Sequence, residues 1–164
     1  MKLSLKNIKH TSWASHETHC FQAALYVDGK PVAIVGNDGK GACDYEHNHP
    51  KCKADYRATM KAVHDYFKSL PKEKSDWCED GFSQTLECWC GDQVNYFLSS
   101  RELKRKLKSH VLFQFKYKDG IFQTKYYPSV TKGNWVINKQ SGETRRILND
   151  MPFNEALMIW EASA

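Results

Sequence analysis

Asp28-Gly29 stands between two apolar runs, Cys20–Val27 (CFQAALYV) and Pro31–Val35 (PVAIV). A two-residue hairpin turn with strand-matching twist needs positive φ at its central residues, and Asp-Gly is a pair that accepts it. The segment therefore reads as an antiparallel hairpin, with the upstream stretch Lys2–Lys9, loosely alternating through Leu3, Leu5 and Ile8, as a further strand. Asn37-Asp38-Gly39-Lys40-Gly41 breaks the second strand, and a polar loop runs to Pro50.

Beyond the loop the hydrophobic period changes. Tyr56, Met60, Val63 and Phe67 recur at steps of four, three and four, which predicts one helix between Lys53 and Leu70, stopped by Pro71. Residues 72–81 read as loop, and Thr85–Trp89 as a short strand or an irregular entry into the next helix. Asp92 is the expected cap of a helix carrying Val94, Phe97 and Leu98 inward, and Ser99 with Glu102 has the form of a capping box that restarts a helix to about Lys108. Val111–Tyr117 alternates, Lys118-Asp119-Gly120 turns, and Ile121–Tyr127 returns as a second hairpin. Asn134–Asn138 is a weaker strand. Pro152 suits the first turn of a last helix, capped by Asn149 or Asp150, with Phe153, Leu157 and Trp160 toward the core.

Strands in two clusters separated by helices predict an α+β fold, two β-hairpin regions forming an antiparallel sheet packed by three to four helices. At 164 residues, with 41% hydrophobic and 13% aromatic residues, the chain has the size and apolar content of a single domain over residues 1–164. No apolar run approaches the roughly 20 residues of a membrane span, and the start lacks an export signal. A cytoplasmic location is the expectation, with the six cysteines reduced or metal-bound. The net charge of +5 permits an acidic partner without requiring one.

Five clusters bear chemistry-capable residues. Cys43, His47, His49 and Cys52 offer the four ligands of a tetrahedral zinc, which would be structural because no position is left for water. The spacing C-x3-H-x-H-x2-C is not that of a standard finger. His16-Glu17-Thr18-His19-Cys20 falls short of a zincin motif, since position i+4 is Cys20. A small metal-dependent hydrolase or nuclease using His16, His19, His47 or His49 is the catalytic alternative. Cys78, Cys88 and Cys90 read as core thiols among aromatics, and the glycine-rich Asn37–Gly41 as a hairpin exit, not a phosphate nest. Arg101, Lys104, Arg105 and Lys108, at i, i+3, i+4 and i+7, make one basic stripe on a helix. The stripe suits phosphates or the acidic patch of a protein. The aromatics Phe113, Phe115, Tyr117, Phe122, Tyr126 and Tyr127 follow it, as core residues or, on an open face, as a stacking platform. No nucleophile elbow, paired-carboxylate signature or dinucleotide motif occurs.

Three stretches together, KNIKH…SHETHCFQAALYVDGKPVAIVGNDGKG…HP, DQVNYFLSSRELKRKLKSHVLFQ and ILNDMPFNEALMIW, resemble a family of small, largely uncharacterised accessory proteins encoded by bacteriophages and prophages. The resemblance implies expression in the host bacterial cytoplasm and an accessory role outside the virion, such as inhibiting a host defence or regulating a host enzyme. It carries over no catalytic residues. The expected function is thus binding of a host protein or nucleic acid through the basic stripe, without catalysis; the alternatives are the metal-dependent hydrolase and an inert scaffold with a structural zinc.

Overall fold

A computed structural model describes residues 1–75, 78–115, 120–125 and 144–163. The expected strand Asn134–Asn138 and the aromatics Trp77, Tyr117, Tyr126 and Tyr127 lie outside them. The chain divides into two compact units, Met1–Asn95 and Tyr96–Ala164.

The first unit is built on a four-stranded antiparallel sheet in sequential order, β1 (Leu3–His10), β2 (Cys20–Val27), β3 (Lys30–Asp38) and β4 (Tyr45–Asn48). The Asp28-Gly29 turn is present as expected. Val27 pairs with Lys30, and Asp28 and Gly29 both have positive φ, 47° and 81°. The hairpin is extended on both sides: Leu3 pairs with Val27, and β4 adds to β3 with Ile34 opposite His47. The central strands supply the core residues Phe21, Ala23, Leu25, Val32, Ala33 and Val35.

Helix α1 (Tyr56–Ser69) buries Met60, Val63 and Phe67, as the period demands. Its start is set by Asp55, whose carboxylate accepts the Ala58 N–H at 3.1 Å. Residues expected to be loop form a short hairpin, β5 (Glu73–Ser75) with β6 (Cys78–Phe82).

Helix α2 (Leu86–Ser109) replaces the expected short strand and the two shorter helices. Its cap is Thr85, whose hydroxyl accepts the Cys88 N–H at 3.1 Å; Asp92 and Ser99 sit inside the helix. In the first half the buried residues are Leu86, Cys90 and Val94, in steps of four. In the second half the buried residue is Leu103. With about 3.6 residues per turn, Arg101, Arg105 and Lys108 continue the helical line of Leu86, Cys90 and Val94. One line of a single helix thus changes from apolar and buried to cationic and exposed.

In the second unit, β7 (His110–Phe115) lies between β8 (Phe122–Lys125) and β9 (Thr144–Ile147) in an antiparallel three-stranded sheet of its own. Leu103, Leu112, Leu148, Ala156 and Leu157 form its core, with Phe153 and Trp160 of α3 (Phe153–Glu161) packed against it. Val111, Phe113 and Ile147 form a second cluster joined by Phe115 and Phe122, so three expected aromatics of the hairpin, Phe113, Phe115 and Phe122, serve packing. Pro152, not Asn149 or Asp150, occupies the N-cap of α3, and no side chain caps it. Asn149 instead ties α2 to β7: it accepts the Leu112 N–H at 2.8 Å and donates to the carbonyls of Leu107 and His110 at 3.3 and 3.0 Å. Among the described residues three α-helices accompany the antiparallel sheets, a mixed α+β architecture, and no helix is long and apolar enough to cross a membrane.

Candidate functional site

The basic stripe forms as a continuous surface. Arg101, Lys104, Arg105 and Lys108 are all exposed. At 1.5 Å rise per residue they cover about 10 Å of helix. The helix is held by burial of Leu103 and by Leu107 against the core of its unit. The four side chains of the stripe stand exposed beside that buried line. Among the described residues one ion pair involves the stripe, a loose 3.8 Å contact between Arg105 and Glu102 in which both side chains are at least half exposed. Exposed pairs of this geometry contribute little.

A groove of about 580 Å³ runs along the stripe, lined by its four cations with Phe97, Ser100 and Ser109. A second hollow of about 520 Å³ is lined by Leu98, Arg101, Glu102 and Arg105. The Arg101 guanidinium lies 5.7 Å from the Phe97 ring centre, and the Lys104 ammonium 4.9 Å from that of Phe153. Such contacts orient a cation over an aromatic face. Lys106 faces elsewhere and donates to Gln123 at 2.8 Å. Phe97, expected to point inward, is half-buried and contributes to the groove. The signal for it was its position four residues before Arg101.

The formal charge is unevenly distributed. Residues 96–164 hold twelve Lys and Arg against six Asp and Glu, a net +6, whereas residues 1–95 hold twelve against thirteen, a net −1. The excess positive charge of the chain belongs to the unit that displays the stripe.

The first unit has a polar centre of another kind. Asn37, 4% exposed, uses its whole amide. Its Oδ1 accepts from the Thr18 hydroxyl at 2.6 Å and the Gly39 N–H at 2.8 Å. Its Nδ2 donates to the Ala42 carbonyl at 2.7 Å and to Asp44 Oδ1 at 2.9 Å. The loop is closed further by the Gly39 carbonyl, which accepts the N–H groups of His16 and Glu17 at 2.9 and 3.0 Å. Gly39 has φ +84°, and a Cβ there would collide with the Ala14 carbonyl oxygen. The Asn37–Gly41 segment is thus a hairpin exit locked by one buried amide, and its conformation rests on glycine.

Asp44 Oδ2 is buried and has no hydrogen-bond partner among the described residues. Burial pushes the Asp44 carboxyl above its usual value of 3.8, against the hydrogen bond from Asn37 and with the help of Glu87 and Glu46. Thr18, His19, Phe21, Asn37, Asp44, Glu87 and Gly91 line a hollow of about 200 Å³ beside it. Burial, with the same carboxylates, drives the Cys90 thiol far up, which keeps it protonated and unreactive.

The remaining clusters are dispersed. Cys43 is exposed, and His47 on β4 stacks on Tyr45 with ring centres 5.2 Å apart. His49 Nδ1 accepts the Lys51 N–H at 3.1 Å, and the Cys52 thiol donates to the Ala54 carbonyl at 3.5 Å. The His19 ring bonds Asn95 Oδ1 at 2.7 Å, while His16 is exposed. Among the described residues no three His, Cys, Asp or Glu side chains form a group that could hold a metal ion. Ser15 lies 3.3 Å from His10 Nε2, but its hydroxyl already donates to the Thr11 carbonyl and accepts the Cys20 N–H, both at 2.9 Å. It is a brace of the β1–β2 connection.

Compared with known proteins, the chain matches no family model, no curated protein and no solved structure.

Proposed function

We propose that the chain is a binding protein without catalysis, which engages an anionic partner through Arg101, Lys104, Arg105 and Lys108. One observation carries the reading: four exposed cations share about 10 Å of one helix face, and within the described residues a single loose acid contact opposes them. Cations aligned this way raise the local potential and attract an extended anion. The Ser15 hydroxyl beside His10 is engaged by two backbone groups, and burial keeps the Cys90 thiol protonated. On the reading of the chain as a phage accessory protein, the partner is a host nucleic acid or an acidic host protein, met in the bacterial cytoplasm, and binding inhibits a host defence.

The test is a charge reversal, Arg101→Glu with Lys104→Glu and Arg105→Glu. The expected result is elution from an immobilised polyanion, heparin, at much lower salt than the wild-type chain, with the melting temperature within about 2 °C because the three side chains are exposed. A folded triple variant that elutes at the wild-type salt concentration removes the stripe from the function.

A further inference from the structure

We infer that the anionic partner is single-stranded nucleic acid, with successive phosphates along the stripe and a base stacked on Phe97. The inference rests on the proposed binding role of the stripe and narrows it to one chemistry.

Three features favour it over an acidic protein. The first is repetition: phosphates along one strand recur about every 3.4 Å of duplex axis, and wider in an extended strand. The stripe of about 10 Å therefore faces two or three of them at once. The second is the groove floor. Phe97 lies beside the cations in the same groove, with the Arg101 guanidinium 5.7 Å from its ring centre. A run of carboxylates uses the cations alone. A nucleotide uses both, since Arg101 can turn to a phosphate while a base takes its place over the ring. The third is the Ser100 hydroxyl, lining the groove among the cations, where it can donate to a phosphate oxygen. An aromatic floor also separates single from double strands, because paired and stacked bases present no free face to it.

The measurement is fluorescence anisotropy of the full chain with three labelled polyanions at matched salt: an oligothymidine of about 20 nucleotides, a duplex of the same length and a polyglutamate. The expected order is oligothymidine tightest, duplex weaker and polyglutamate weakest. The logarithmic salt slope for the oligothymidine should be about −1.5 to −2, as for two or three neutralised phosphates. Phe97→Leu should weaken the oligothymidine about tenfold and leave the slope unchanged, and Phe97→Tyr, which keeps the ring, should retain the affinity. The tyrosine variant keeps the test decisive if leucine disturbs the helix. Equal binding of single strand and duplex, untouched by Phe97→Leu, overturns the inference. So does tighter binding of polyglutamate, which would leave the binding role of the stripe intact. Binding of none of the three removes both.

Discussion

The two units use polar side chains in opposite ways. In residues 1–95 the central polar residue is Asn37, buried and with both polar atoms of its amide bonded, to Thr18 and to the loop it closes. In residues 96–164 the prominent polar residues are the four cations of α2, exposed and with one loose acid contact among the described residues. The first pattern stabilises, because a buried hydrogen-bonding group costs most when its partner is lost. The second contributes little to stability and much to long-range attraction. Charge follows the same division, −1 against +6. The difference teaches that fold and function are separable here: changes at Asn37 should alter melting and spare affinity, and changes in the stripe should do the reverse.

The largest effect is expected at Asn37. Asn37→Ala removes four hydrogen bonds and strands the Thr18 hydroxyl, the Gly39 N–H and Asp44 Oδ1. A loss of about 2–4 kcal/mol follows, a drop of roughly 6–12 °C in melting temperature by calorimetry. Below that melting point its polyanion affinity should equal that of the wild type; a parallel loss of affinity would break the division. Reversal of Arg101, Lys104 and Arg105 is the mirror case, with about 100-fold weaker binding of a polyanion at moderate salt and almost no change in melting.

Asp44→Asn is the smallest and most discriminating change. The folded state holds the Asp44 proton more tightly than the unfolded chain does, because its ionised form is poorly solvated. Stability contributed by this group is therefore undiminished below the ordinary pKa of 3.8 and falls as pH rises above it. Asparagine keeps the bond from Asn37 and carries no charge. The variant should melt at or slightly above the wild type near neutral pH, and the difference should shrink toward about pH 3.5. A variant clearly less stable at neutral pH would show that the carboxylate supports the unit.

Much of this was legible in the residues, and the rest was hidden for physical reasons. Asp28-Gly29 and the α1 face of Met60, Val63 and Phe67 are local signals, a turn chemistry and a helical period, and the structure carries both. The stripe was legible as a pattern for the same reason. α2 was not legible as one helix, because its buried line changes from Leu86, Cys90 and Val94 to Leu103. A period that shifts in mid-helix imitates two short helices, and Ser99 with Glu102 imitates a cap between them. The role of Asn37 depends on Thr18, Ala42 and Asp44 meeting across a loop, which sequence spacing does not encode. Asn149 misled similarly: a good capping residue bonds to α2 and β7 instead, some 40 residues away in sequence.

Lysine footprinting reads the binding surface directly. The full chain is acetylated with and without the oligothymidine, and each lysine is quantified by mass spectrometry. Lys104 and Lys108 should become protected, while Lys106, which faces Gln123, and Lys30 and Lys61 of the first unit should react as before. Unchanged reactivity at Lys104 and Lys108, with protection of the first-unit lysines, would contradict the assignment of binding to α2.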